Sequence, residues 1–181
     1  INVWVENEGD LLFYISKTDA WDENMRLLKL GRIRVNISPN PFRKGLAFKQ
    51  VLSLEDGAIY IAAGKPEIKI KLWIDANNPV IRLEAESEKA FQIKVTLEVW
   101  RSGKRVLKDY ELENGAYGLG GSFEPVVEYP DTILEGEKNR IIWYHRNKSS
   151  IWPCTLKLQG LESLIDEFDD PLLNRTFGGI I

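Results

Sequence analysis

The sequence predicts a mainly β protein, built as an antiparallel β-sandwich or barrel, and three observations support this fold class. Apolar and polar residues alternate through about the first hundred positions, and such alternation places successive side chains on opposite faces of half-buried strands. Turn sequences interrupt the alternation roughly every ten residues, as they do between the paired strands of a meander. No helical pattern of about ten residues separates these runs, which excludes a parallel βαβ sheet.

The length and composition limit the class of protein. The chain has 181 residues, close to the length of one domain, and we expect a single folded domain. The formal charge is -3 and the pI is near 5.4, so the excess of positive charge that marks nucleic-acid binding is missing. No apolar run approaches the ~18 residues of a membrane span. We therefore expect neither nucleic acid nor a membrane span.

Four rows of apolar residues are expected to face the core from successive strands. The rows are Ile33, Val35 and Ile37; Ile59 and Ile61; Ile68, Ile70, Leu72 and Ile74; and Ile93, Val95, Leu97 and Val99. Asp56-Gly57 suits a two-residue hairpin, Ser102-Gly103 is typical of another hairpin, and residues 64–66 and 77–79 are expected to form loops.

The alternation is lost after Arg105. Gly115, Gly118, Gly120 and Gly121 lie in a long segment with no helical pattern after it, so we expect a flexible loop there and no phosphate-binding loop. Two further strands are predicted in RIIWYHRN, residues 140–147, and PCTLKLQG, residues 153–160.

Only one helix is predicted, and the two chain ends suggest an incomplete domain. The apolar residues of LESLIDEFDDP, residues 161–171, recur at helical spacing before Pro171. The final residues, LLNRTFGGII, indicate a strand that is just beginning, and the first residues start inside an alternating pattern. We therefore expect this chain to be truncated at both ends.

The residue types give little support for a metal, a cofactor or a catalytic pair. The chain has one histidine, His145, and one cysteine, Cys154, which we expect to be a small buried residue without a role. The 27 Asp and Glu residues allow a glycosidase-type pair of carboxyl groups almost anywhere, so the sequence selects no catalytic acid. We expect no cofactor.

The first candidate site is the polar segment between two predicted strands near residues 17–26. An aromatic face, carboxylates, an amide and a guanidinium group are the inventory of a carbohydrate site. The candidates are Lys17, Asp19, Trp21, Asp22, Asn24 and Arg26, and Glu23 lies in the same polar segment. The alternative is structural: Trp21 packs on the sheet, Asp19 and Asp22 cap a turn, and the basic residues are solvated.

The second candidate site is WYHRN, residues 143–147. Alternation places Trp143 and His145 on one face of a strand and Tyr144 and Arg146 on the other, with Asn147 following. His145 is either a general base or a hydrogen-bonded structural residue, and the sequence leaves both possibilities open.

Four segments carry a resemblance to a known family. GDLLFYISKTDAWDENMRLLKLGRIRVNISPNPF, WYHRNKSSIW, LKLQGLE and DPLLNRTFGG resemble the N-terminal domain of large bacterial proteins related to family 95 glycoside hydrolases, the α-L-fucosidase type, in a branch of unknown function. The resemblance implies a supersandwich of the galactose-mutarotase kind. It also implies a following (α/α)6 barrel, absent from these residues, that carries the catalytic carboxylates. The resemblance further implies that the parent protein is periplasmic or extracellular.

The resemblance leads to three hypotheses of function. In the first, the chain is a non-catalytic domain of a glycan-acting parent protein, and the two candidate sites shape the substrate cleft or dock the barrel. In the second, the chain is a stand-alone carbohydrate-binding sandwich. In the third, it is a structural or assembly module.

Overall fold

The computed structural model describes residues 1–115 and 125–181, and these residues are mainly β. They form thirteen strands, two α-helices and one 3-10 turn. In chain order these are β1 (Asn2–Val5), β2 (Leu11–Trp21), β3 (Leu27–Ser38), β4 (Phe48–Ser53), β5 (Ala58–Ala63), β6 (Ile68–Ile74), β7 (Ile81–Ser87), β8 (Gln92–Glu98), β9 (Arg105–Val106), α1 (Asp109–Gly115), β10 (Val127–Glu128), β11 (Thr132–Leu134), β12 (Ile142–Arg146), α2 (Trp152–Leu158), the 3-10 turn (Glu162–Leu164) and β13 (Thr176–Ile180).

The strands form four antiparallel sheets, which confirms the predicted sandwich-like fold class. The strand orders are β1-β2-β3-β8, β4-β5-β6-β7, β9-β10 and β11-β12-β13. No described helix is long and apolar enough to cross a membrane.

The chain divides into two compact units, which are described separately. Unit 1 comprises Ile1, Tyr14–Arg32 and Leu97–Ile181, and unit 2 comprises Asn2–Phe13 and Ile33–Thr96. The expectation of a single folded domain stays a prediction.

Unit 2 contains the meander β4-β5-β6-β7, in which each strand pairs with the next one along the chain. The predicted row Ile33, Val35 and Ile37 is buried on β3, and Ile68, Ile70 and Leu72 are buried on β6. On β5, Ile61 is buried and Ile59 is half-buried. The alternation in the sequence thus identifies most of the core of unit 2, because only one face of each strand is buried.

Several details of the strands differ from the predictions. Ile93 on β8 and Ile74 at the end of β6 are exposed and do not face the core. Ser53 pairs with Ala58, so the turn at Asp56-Gly57 has four residues and not two. The prediction of a hairpin at Ser102-Gly103 is wrong, since β9 pairs with β10 and not with β8.

Unit 1 contains the sheet β11-β12-β13. Two consecutive glycines of β13, Gly178 and Gly179, allow this strand to pack closely against Trp143 of β12. A Cβ atom on Gly178 would lie 2.1 Å from the carbonyl oxygen of Trp143, and one on Gly179 would lie 2.4 Å from the Trp143 ring. Neither position therefore accepts a side chain without displacement of the neighbouring strand or of the buried indole. The predicted strands in RIIWYHRN and LLNRTFGGII are confirmed as β12 and β13.

The predicted positions of the helix and of one strand are wrong. Residues 153–160 are mostly helical, in α2, and Pro153 lies in the first turn of this helix. Proline is tolerated there because the backbone N–H groups of a first turn have no acceptor within the helix. Residues 161–171 contain only the short 3-10 turn; Leu161 and Phe168 are exposed, and Leu164 and Ile165 are half-buried. Helical spacing alone was misleading because none of these four apolar residues is fully buried.

Two further expectations concern the glycine-rich segment and the cysteine. Gly118, Gly120 and Gly121 lie outside the described residues, and Gly115 ends α1. Cys154 lies in α2 and is half-buried, so it is neither in a strand nor in the core.

Candidate functional site

The first candidate segment folds as a tight connection, Asp22–Arg26, between β2 and β3 in unit 1. One carboxylate oxygen of Asp22 accepts hydrogen bonds from the backbone N–H groups of Asn24 (3.0 Å) and Arg26 (2.8 Å). Met25 has a φ of 61°, a left-handed conformation that is uncommon for a residue with a side chain. The predicted capping role of Asp22 is therefore confirmed, and its carboxylate holds the connection in this conformation.

A first chain of charges joins the connection to β12. Glu23 and Asp131 lie on opposite sides of the His145 ring, with Glu23 Oε2 2.7 Å from Nε2 and Asp131 Oδ1 3.1 Å from Nδ1. Arg101 donates two hydrogen bonds to the Asp131 carboxylate, at 2.7 Å and 2.8 Å. The side chains of Glu23, Asp131 and His145 are almost fully buried.

The His145 imidazole is held as a cation. Burial disfavours its charge, but the hydrogen bonds to Asp131 and Glu23, together with the charge of Glu23, outweigh burial and raise the pKa of His145 to about 9. At neutral pH both ring nitrogens therefore carry a proton, and each donates it to a carboxylate. Phe177 stacks on the ring with 5.3 Å between centroids.

A second chain of charges runs beside the first. The Arg26 guanidinium contacts Asp22 at 2.6 Å and Glu128 at 2.7 Å, and Glu128 in turn accepts a 2.7 Å hydrogen bond from Arg105. Arg105 also donates two hydrogen bonds to Glu111 on α1. Acidic and basic groups thus alternate from the buried connection out to the surface of unit 1.

Burial and pairing shift the pKa values of these carboxyl groups in opposite directions. Burial raises the pKa of Asp22 above its ordinary value, and the nearby Arg26 guanidinium offsets only part of the rise. Burial also acts on Glu128, but hydrogen bonds from Arg105 and Arg26 outweigh it and lower the pKa of that carboxyl. Glu128 therefore stays ionised as the bridge between two guanidinium groups.

Two asparagines tie the connection to distant segments. The Asn24 amide donates a 2.8 Å hydrogen bond to the carbonyl of Val127. The Asn147 amide, fully buried, donates to the carbonyls of Trp21 (3.1 Å) and Leu172 (2.9 Å). Asn147 Oδ1 is the buried side-chain atom that lacks a hydrogen-bond partner among residues 1–115 and 125–181.

The remaining predicted site residues lie outside these buried charge chains. Lys17 and Asp19 pair with each other on the exposed part of β2, so they are not in the connection and cap no turn. Arg26 is not solvated, in contrast to the structural alternative. Trp143 is buried and donates its indole N–H to the carbonyl of Leu30, while Tyr144 and Arg146 face outward, as alternation predicts.

A groove of about 460 Å³ opens on unit 1 beside the connection. Trp21 and Tyr110 contribute aromatic rings to its lining, and Arg26 and Glu111 contribute charged groups. Trp21 donates its indole N–H to the carbonyl of Thr18, which orients the ring, and Tyr110 is largely exposed. Two of the predicted candidates, Trp21 and Arg26, therefore reach an open surface.

Sequence reasoning missed five charged residues of the two chains: Arg101, Arg105, Glu111, Glu128 and Asp131. They are far from the connection in sequence, and Glu128 follows Arg26 by 102 residues. No local pattern distinguishes them from surface charges, because the period of apolar residues and the spacing of motifs describe only residues that are close in sequence. These residues could be found only from ion pairs between side chains that are far apart in sequence.

The chemistry available to the buried residues is limited by their mutual pairing. Imidazolium has no free lone pair, so His145 cannot accept a proton from a bound molecule in this state. Among residues 1–115 and 125–181, no group of three or more His, Cys, Asp and Glu side chains is placed to hold a metal ion. The two charge chains position backbone segments, whereas the groove presents groups that can contact a ligand.

Comparison with protein families matches residues 1–181 to an N-terminal domain described as "Domain of unknown function (DUF5703)". No curated protein and no solved structure matches the chain. The expected placement in a branch of unknown function is confirmed. The relation to family 95 glycoside hydrolases stays a prediction.

Proposed function

This chain belongs to the DUF5703 N-terminal domain family, and we propose, from the sequence resemblance and the groove, that it is the non-catalytic N-terminal domain of a glycan-acting protein of the glycoside hydrolase type. Its groove then forms part of the cleft that holds the glycan. The observation that carries this proposal is the combination of Trp21 and Tyr110 with Arg26 and Glu111 around one open groove.

The groove has the groups that a sugar requires. An indole or phenol ring covers the apolar C–H face of a pyranose, and charged groups at the side hydrogen-bond to its hydroxyls. Arg26 is held in place by Asp22 and Glu128, so little side-chain entropy remains to be lost when a ligand binds. Glu111 is held in the same way by Arg105.

The acids nearest the groove are engaged in structural pairs, which supports a non-catalytic role. A glycosidase needs one carboxyl group that donates a proton and a second that attacks or activates water. Asp22, Glu23 and Glu128 are buried, and each is bonded to a guanidinium, imidazolium or backbone N–H group. We therefore assign catalysis to the (α/α)6 barrel that the sequence resemblance implies, in a periplasmic or extracellular parent protein.

The outer face of β11-β12-β13 is our candidate for the contact with that barrel. Leu134, Ile142 and Ile180 lie side by side across the three strands, and Leu134 and Ile180 are exposed. Tyr144 and Arg146 lie on the same face of β12. A contiguous apolar row with a polar edge is typical of a domain contact.

Glycan binding to the purified chain tests the proposal. Fucosylated oligosaccharides, with galacto- and gluco-oligosaccharides for comparison, are titrated against the chain and its Tyr110→Ala variant. We expect at least one of them to bind and the dissociation constant to rise about tenfold in the variant, the effect of losing ~1.4 kcal/mol of aromatic contact.

The control variant is Tyr60→Ala, which removes a surface tyrosine of unit 2 that lies outside the groove. Its affinity should equal that of the unmodified chain. Equal losses in the two variants, or an unchanged affinity in Tyr110→Ala, would refute the groove as the glycan site. Thermal unfolding of both variants distinguishes a lost contact from a lost fold.

A stand-alone carbohydrate-binding module is the alternative, and it is favoured by one observation. All residues that line the groove belong to unit 1 of this chain, so the groove needs no other polypeptide for its completion. If the intact protein from its source binds glycans no more tightly than this chain and hydrolyses none of them, this alternative replaces the first proposal.

A further inference from the structure

A second, smaller cleft lies in unit 2, where three connecting segments meet. It encloses about 100 Å³ and is lined by the segments between β3 and β4, between β5 and β6, and after β7. Pro41, Pro66 and Phe91 provide apolar walls, and the buried Ile68 contributes to the lining. The walls can therefore cover the apolar side of a small ring.

The charged groups of this cleft have one sign. Arg43, Lys65 and Lys89 contribute to the lining, and no Asp or Glu does. None of the three forms an ion pair with another residue in the described part of the chain. In contrast, most arginines of the chain are paired with a carboxylate: Arg26, Arg32, Arg34, Arg82, Arg101, Arg105 and Arg140.

We infer that this cleft binds an acidic sugar, with the carboxylate beside Arg43, Lys65 and Lys89 and the ring against Pro41, Pro66 and Phe91. The three cations share one lining and form no ion pair within the described part of the chain, so their charges repel one another and a bound anion relieves that repulsion. The planar guanidinium of Arg43 matches the two oxygens of a carboxylate. The choice of a sugar over other carboxylates rests on the proposed glycan function.

A neighbouring depression determines which way the sugar chain runs. It has a volume of about 370 Å³ and shares Pro66 and Ser87 with the cleft, but its charged lining is mainly acidic: Glu67, Glu86 and Glu88, with Lys69. Carboxylates accept hydrogen bonds from sugar hydroxyls and repel a second acid group. The acid group therefore occupies the basic cleft, and the adjoining hydroxyl-bearing ring lies over the glutamates.

The test compares galacturonosyl-galactose, a disaccharide with one acidic and one neutral ring, with galactobiose, its neutral counterpart, by calorimetric titration of the purified chain. We expect galacturonosyl-galactose to bind at least about tenfold more tightly, because hydrogen bonds to a charged group are stronger than those between neutral groups. Its affinity should also fall as sodium chloride is added.

Two double variants with the same change of net charge locate the site. Arg43→Gln with Lys89→Gln should raise the dissociation constant at least about tenfold. Lys49→Gln with Lys94→Gln, at exposed positions of unit 2 outside the cleft, should leave it unchanged. Unfolding of both double variants in urea verifies that each is folded.

Three results would overturn the inference: no binding of galacturonosyl-galactose, equal affinity for galactobiose, or equal effects of the two double variants. Inorganic phosphate and benzoate complete the comparison. If either binds as tightly as galacturonosyl-galactose, the assignment of a sugar is wrong. None of these results decides the proposed function, because the glycan groove lies in unit 1 and is tested through Tyr110.

Discussion

Replacing His145 by glutamine should abolish a loss of stability that the unmodified chain undergoes as the pH rises from 6.5 to 9. The pKa of this imidazole is about 9 in the folded chain, whereas the ordinary value for an exposed histidine is 6.5. Folding therefore favours the protonated form, and this contribution is fully present below pH 6.5 and lost as the pH rises through 9. At 1.36 kcal/mol per pKa unit, the loss amounts to about 3 kcal/mol.

The measurement is urea unfolding, followed by tryptophan fluorescence, at several pH values between 6 and 10. The unmodified chain and His145→Gln share all other titrating groups, so the difference between their unfolding free energies isolates the histidine. That difference should favour the unmodified chain at pH 6.5 and shrink by about 3 kcal/mol toward pH 10. A difference that stays constant with pH would refute the argument that His145 is a buried cation.

Two other changes test the packing and the second charge chain. Gly178→Ala should cost about 1–3 kcal/mol of unfolding free energy, because the new methyl group would meet the backbone of Trp143. The control, Gly103→Ala, lies in open space and should change the unfolding free energy by less than about 1 kcal/mol. Equal losses of the two variants in urea unfolding would contradict this packing. Arg26→Ala should cost about 3–5 kcal/mol, since it leaves buried Asp22 without its cation and Glu128 with Arg105 alone, whereas Arg146→Ala on the exposed face of β12 should cost less than about 1 kcal/mol. A loss below about 1 kcal/mol for Arg26→Ala would mean that this chain of charges contributes little to the fold.

Local patterns in the sequence predicted a large part of the fold. The alternation around Trp143 and His145 correctly indicates which side chains of β12 are buried, because the period of two is a property of the strand itself. The capping role of Asp22 was also predictable, since its hydrogen bonds reach only two and four residues along the chain.

Tertiary contacts explain why other predictions failed. Leu161 and Phe168 have helical spacing with Leu164 and Ile165 but remain exposed, so the row forms no fully buried face that would stabilise a helix. In α2, a short run that alternates apolar and polar residues is helical, and Pro153 was the overlooked sign of a helix start.

The candidate site could be predicted only in part. Its aromatic and charged residues near the connection were recognised as a group, but one of the two partners of His145 is Glu23, which lies 122 residues away in sequence. Whether a histidine is a base or a structural cation depends on such partners, and no local spacing specifies them. Tyr110 was missed for the same reason, because only the fold places it beside Trp21.

The protonation state of His145 is the most direct test of the claim that the buried candidate residues hold the fold and do not perform catalysis. Nitrogen NMR of the imidazole is unambiguous, since the chain contains one histidine. We predict two protonated ring nitrogens at pH 7 and a titration midpoint near pH 9. A single protonated nitrogen at pH 7, with a midpoint near 6.5, would contradict the account and make His145 available as a general base.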